Sequence, residues 1–187
     1  MARGLARDHD EKRGVLRKGA ARYFAAHGFD RASMTGVARS LGVSKALIYH
    51  YWPSKEDLLF DIFDAHFAEL LDATAAAADL TGMIGAILVT YEDADPEHKL
   101  QLDALKLLPP DRQEPLMAAQ RALVARMSEA VASEAPHLGA DALRAATMTV
   151  FGIVNWVYMW HRPGKGMSRT DYARFAADFV RGGLRAL

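Results

Sequence analysis

The sequence predicts an all-α protein in which a small N-terminal module precedes a larger helical bundle. Three observations lead there. Apolar residues recur at three- and four-residue spacing through nearly every segment, the period of a helix with one buried face. No stretch alternates apolar and polar residues as a half-buried strand would. The breaks fall at Gly28, Gly42, Pro53, Pro109-Pro110 and the loop RPGKGMS, residue types that end helices. A chain of 187 residues, 51% of them hydrophobic, has apolar material for one or two compact domains.

Taken in order, Leu16, Ala20, Tyr23, Phe24 and His27 form one face of a first helix, which Gly28 can end. Ser33 can cap a second helix with Met34, Val37, Ala38 and Leu41 inward. Gly42 stops it, and Ser44 can start a third within two residues. That turn is short enough to join the two crossed helices of a helix-turn-helix. Pro53 closes the third helix, and Ser54 with Asp57 forms an S-x-x-D start for a fourth. The fourth carries a long apolar stripe through Leu58, Leu59, Ile62, Phe63, His66, Phe67, Leu70 and Leu71. Further helices are expected at about 82–94, 96–107, 111–134, 140–161 and 168–186.

Charge is divided unevenly in a chain whose net charge is zero. Residues 1–55 hold 11 Lys and Arg against four acids, a net +7, and the remainder carries −7. The first segment suits a phosphate partner while the acidic remainder keeps the molecule neutral. The absence of cysteine excludes disulfides, thiol nucleophiles and cysteine-based zinc sites, and fits a reducing compartment. The start, MARGLARDHDEKRG, has no apolar core of a signal peptide. The longest uncharged run, Ala145 to Trp160, has 16 residues, too few to span a bilayer. A cytoplasmic protein without membrane segments is expected.

The stretch VSKALIYHYWPSKEDLL packs four aromatic rings into the third helix and its end. If Ile48 faces the core, so does Trp52 four residues on. Ala46, Leu47, Tyr49 and His50 then share the outer face with Lys45. Trp52 and Tyr51 are expected to pack. Tyr49 and His50 can donate to phosphates at a major-groove edge, and Leu47 can touch a thymine methyl. Lys45 and Lys55, at the starts of two helices, add charge, and both helix N-termini can offer backbone N–H groups to phosphates.

At these residues the chain resembles the DNA-binding domain of the TetR family of transcriptional regulators, through AARYFAAHGFDRASMTGVARSLGVSKALIYHYWPSKEDLL, Ala20 to Leu59. The resemblance implies a three-helix helix-turn-helix DNA-binding domain, taken as residues 1–53, and a helical ligand-binding and dimerisation bundle, residues 54–187. By position it implies that Thr35, Lys45, Tyr49, His50 and Lys55 contact phosphates or the groove. Ser44, Ala46 and Leu47 complete that face, although many members carry a small polar residue where Leu47 stands. The expected partners are a double-stranded operator with inverted half-sites and a second copy of the chain.

In the last helix Tyr172, Phe175, Ala176, Phe179, Val180, Gly183, Leu184 and Leu187 form an unbroken apolar stripe. The resemblance makes it, with the preceding helix, half of an intermolecular four-helix bundle. The C-terminal text VFGIVNWVYMWHRPGKGMSRTDYARFAADFVRGGL and the middle text LKLLPPDRQEPLMAAQRALV resemble members that respond to acyl-coenzyme A thioesters. For such an effector, Phe63, Phe67, Leu70, Ile87, Leu105, Met117, Phe151, Trp156 and Met159 would surround the acyl chain. Asn155 interrupts an apolar run and needs a polar partner, a ligand carbonyl among the choices. Arg112, Arg121 and Arg162 are candidates for the coenzyme's phosphates.

Other chemistry is poorly served. The Gly-Lys of the loop GKGMS lacks the spacing and following Ser or Thr of a phosphate loop. None of the seven histidines lies three or four residues from another, so no single helix face offers a metal pair. No G-x-S-x-G elbow occurs. Neither catalytic residues, a metal nor a cofactor is expected. The competing class, a helical enzyme or carrier with a basic N-terminal module, differs in one measurable respect: it would not bind a short inverted repeat in a salt-dependent way.

Overall fold

The computed structural model describes residues 2–187, with side chains from His9 onward. Its helices are α1 (Ala2–His27), α2 (Met34–Ser40), α3 (Lys45–Tyr51), α4 (Lys55–Thr74), α5 (Leu80–Glu92), α6 (Asp95–Ala104), α7 (Pro110–Glu134), α8 (Ala140–Asn155), α9 (Val157–Trp160) and α10 (Arg169–Leu184), with a 3-10 turn at Leu105–Leu107. Among the described residues there is no strand, only an isolated bridge between Arg162 and Lys165. None of the described helices is long and apolar enough to cross a membrane.

The chain divides into two compact units. One runs up to His66 and adds Pro96–Leu116; the other is Phe67–Asp95 with Met117–Leu187. These units interleave along the chain, and α4 contributes to both. The reason is visible in α4, whose first turns carry Leu58, Leu59, Ile62 and Phe63, all buried, and Asp61, which holds α1 and α3 together.

In the first unit the ends of the short helices are set locally. Gly28, at φ 77°, closes α1 with its N–H on the Phe24 carbonyl. Gly42, at φ 66°, closes α2: its N–H reaches Arg39 O, and Val43 N–H reaches Ala38 O. That double closure needs a left-handed residue, which glycine adopts without strain. Ser33 Oγ accepts from Gly36 N–H and Ser44 Oγ from Leu47 N–H, so both expected caps form. Ser54 Oγ accepts from Asp57 N–H and donates to the Asp57 carboxylate, starting α4.

The second unit has one apolar core built from α5, α7, α8 and α10, with Leu80, Ile84, Ile87, Met127, Val150, Val154, Ala177 and Val180 among its buried members. α10 pairs most extensively with α5, and its small residues Ala173, Ala176 and Ala177 are buried. Arg126 of α7 donates to the Leu71 carbonyl and to Thr74 Oγ1, satisfying the end of α4.

The expected helix 140–161 is broken. α8 stops at Asn155, and Met159 N–H turns to the Trp156 carbonyl three residues back, a tighter closure that starts the single turn α9. An uninterrupted apolar pattern did not reveal this, because the side chains alone do not show where the backbone ladder changes.

Candidate functional site

α3 separates its residues as the spacing requires. Ile48 and Trp52 are buried, while Ser44, Lys45, Ala46, Tyr49 and His50 are exposed and Leu47 is half-buried. Thr35 on α2 is also exposed. The Lys45 ammonium lies 5.4 Å from the centre of the Tyr49 ring, within the range of a cation–π contact. The result is a face with a cation, a phenol and an imidazole on the outside of a helix that is fixed from within.

The fixing is done by Asp61, a residue that the sequence pattern did not single out. Trp52 Nε1 donates to its Oδ2 at 2.9 Å, and Arg13 reaches the two oxygens with Nε at 3.2 Å and Nη2 at 2.9 Å. Arg17 stands 3.7 Å away. One carboxylate therefore ties α1, the end of α3 and α4 together. Tyr51 packs as expected, with its ring 4.7 Å from that of His9, 5.3 Å from His50 and 5.4 Å from Trp52.

Lys55 is half-buried and has partners in its own chain. Its ammonium donates to the Phe29 carbonyl at 2.9 Å and the Ala32 carbonyl at 3.4 Å, and sits 4.2 Å from the Phe29 ring centre. It thereby closes the turn between α1 and α2, with two of its three donors engaged. Lys55→Ala should therefore cost about 1.5–3 kcal/mol of stability, as losing a charged hydrogen bond does. The salt dependence of operator binding should stay the same, whereas Lys45→Ala should lower its slope by about 0.9. Thermal melts beside affinities at several salt concentrations check both; a slope change in Lys55→Ala would restore its phosphate role.

The residues expected to meet an effector are divided between the two units. Phe63, Leu105 and Arg112 belong to the first unit, and the others to the second. Phe63, Phe67, Leu70, Ile87 and Phe151 are buried, and Leu105 is half-buried. Trp156, at 61% exposed, and Met159 face outward because α8 ends just before them. Met117 is exposed beside Arg121 on an open patch of α7. Arg112 pairs with Asp57 at 2.6 Å and lies over the Phe60 ring, so it joins α7 to α4. Arg162 donates to the carbonyls of Met159 and His161 in its own loop. Asn155 is half-buried and accepts from the Tyr91 hydroxyl at 3.1 Å.

The α10 stripe also splits. Ala176, Val180 and Leu184 are buried, whereas Phe175, Phe179, Gly183 and Leu187 are exposed and Tyr172 is half-buried. Periodicity marks an apolar stripe without saying how much of it meets the chain's own core. The exposed part continues onto α8 as a groove of about 410 Å³ lined by Ala145, Ala146, Thr149, Ile153, Phe179 and Gly183 among others. His66 and His98 bring their rings to 6.3 Å, but no group of three metal-binding side chains occurs among the described residues.

A short α2, a tight turn and an α3 with buried Ile48 and an exposed polar face, joined to a separate helical core, define a helix-turn-helix regulator. Residues 16–62 match the family described as bacterial regulatory proteins, tetR family, and residues 73–184 match the tetracyclin repressor-like C-terminal domain. The chain belongs to the tetR family of transcriptional regulators. It is similar to the HTH-type transcriptional repressor Rv1474c of Mycobacterium tuberculosis, 31% identical over 84 residues, 44% of this chain and 43% of that protein. The match thus spans less than half of that relative's length. A TetR-family transcriptional regulator from Bordetella parapertussis 12822 superposes with a TM-score of 0.85 at 27% identity, over 94% of this chain and 96% of that one. AibR, solved with isovaleryl coenzyme A and operator DNA, shares the fold with a TM-score of 0.72 at 21% identity, over 91% of this chain and 96% of that one.

Proposed function

We propose that the protein is a cytoplasmic homodimeric repressor that reads an inverted-repeat operator with one α3 per half-site and is released by a small hydrophobic effector, an acyl-coenzyme A thioester. The observation that carries it is the division of α3 into a buried Ile48–Trp52 side and an exposed Lys45–Tyr49–His50 side. An exposed aromatic face rigidly held on a short helix suits groove entry, with phosphates fixing the register and base edges giving selectivity. Two half-sites call for two copies. Phe179, 68% exposed, and Phe175 on α10 offer an apolar surface for the pairing.

The effector class rests on the C-terminal resemblance, and the coenzyme complex of AibR is compatible with it. By linkage, an effector that releases DNA binds the DNA-free conformation more tightly. α4 contributes residues to both units, so a change in its tilt would carry that preference to the half-site spacing.

The test is a panel of acyl-CoAs and matching free acids titrated against the protein–operator complex, with sedimentation of the protein alone. Release by thioesters and a dimer at micromolar concentration are expected. Release by free acids alone, or by none of the panel, rejects the thioester. A monomer rejects the dimer, and failure to bind any inverted repeat rejects the regulator.

A further inference from the structure

The second unit holds a buried arginine whose hydrogen bonds are only partly made. Arg169, the first residue of α10, is 3% exposed, and its Nη2 donates to Asp95 Oδ2 at 2.5 Å. The other nitrogens of the guanidinium, Nε and Nη1, and the second oxygen of Asp95 are buried without a hydrogen-bond partner among the described residues. Nearby in sequence to Asp95, the buried Tyr91 hydroxyl donates to Asn155 Oδ1. Burial and, second, the Asp95 charge raise the pKa of Tyr91, which keeps the phenol neutral. Tyr91 and Arg169 are buried, and Asp95 and Asn155 are half-buried.

A guanidinium offers five N–H donors in a fixed plane, and the Asp95 contact uses the Nη2 side. Buried charged donors left without acceptors are costly, and folded proteins rarely tolerate them. The charge balance decides what kind of acceptor fits. Arg169 and the half-buried Asp95 neutralise one another, so a carboxylate or phosphate would add a net negative charge beside them, whereas an uncharged oxygen would not.

We infer that Arg169 and Asp95 form the polar anchor of the effector site, holding an uncharged carbonyl or hydroxyl oxygen of an otherwise apolar ligand. The inference rests on the effector reading above and narrows it: within a thioester, the carbonyl is the group held. The anchor differs from the cations at Arg112, Arg121 and Arg162, none of which is buried.

The test follows the Arg169 Nε–H resonance in the full-length protein labelled with ¹⁵N-arginine, assigned with Arg169→Lys. The probes are decanoyl-CoA, its S-decyl thioether, which lacks the carbonyl, and 2-dodecanone. The resonance should move with decanoyl-CoA or 2-dodecanone and stay in place with the thioether. Wild-type protein should bind decanoyl-CoA about tenfold more tightly than the thioether, the worth of one such hydrogen bond, and Arg169→Met should lose that preference. Equal movement with the thioether, or no movement with any probe, means that only internal water meets Arg169 and overturns the anchor. Because the resonance is read in wild-type protein, a variant that fails to fold does not blunt the test. Operator release by decanoyl-CoA and the thioether alike, with the resonance unmoved, removes the anchor and leaves the coenzyme reading standing. Movement with 2-dodecanone and no release by either coenzyme derivative does the reverse.

Discussion

Trp52→Ala should unfold the DNA-binding unit at a markedly lower temperature and abolish operator binding, although Trp52 itself lies inside. The side chain is buried to 2%, so its removal leaves a cavity costing about 3–5 kcal/mol. It also takes one donor from Asp61, the carboxylate that joins α1 and α4 to α3. Against a total stability of roughly 5–15 kcal/mol, that loss is decisive. Trp52→Phe keeps much of the packing and loses the N–H, so it should show an intermediate melt with operator binding retained. Circular dichroism melts beside operator titrations check the series. If Trp52→Ala changed stability by less than about 1 kcal/mol, the anchoring of α3 described here would be incorrect.

The second large effect is acid lability arising at His66. Burial and, second, the neighbouring His98 push its imidazole down from 6.5 to about 3. In the unfolded chain the ring takes a proton below about 6.5, while the folded chain refuses it until about 3. Between these values the unfolded state binds more protons, so stability rises with pH. The contribution is complete above 6.5 and is lost as pH falls toward 3, by up to about 1.4 kcal/mol per pH unit. Denaturant unfolding from pH 7 to 4 should therefore show a steeper acid limb in wild-type protein than in His66→Gln, whose side chain cannot protonate. Carboxylates contribute to both curves, so their difference is the measurement. Parallel limbs would show that His66 is protonated in the folded state.

The local parts of the fold were legible in the sequence. Caps at Ser33, Ser44 and Ser54 and the left-handed turns at Gly28 and Gly42 act within a few residues, so their residue types suffice to find them. The inward and outward sides of α3 followed from its spacing for the same reason. What could not be read is contact across sequence. Nothing near Lys55 announces that its partners are the carbonyls of Phe29 and Ala32, or near Arg112 that it will meet Asp57. The pairing of Arg169 with Asp95 spans 74 positions. The α10 stripe was found, but spacing alone could not separate Ala176, Val180 and Leu184, spent on the chain's own core, from Phe175 and Phe179, left outside.

The early end of α8 has an optical consequence. Trp156 and Trp160 are 61% and 48% exposed, whereas the third tryptophan, Trp52, is sealed within the other unit. Their indole emission should separate into a red, iodide-quenchable part and a blue, shielded part. Each is an intrinsic dye on a different half of the molecule. Association over the α8–α10 face would protect the first without touching the second, while loosening of α3 would dim or shift the second alone. A single unlabelled sample can thus report pairing and recognition-helix order as two colours.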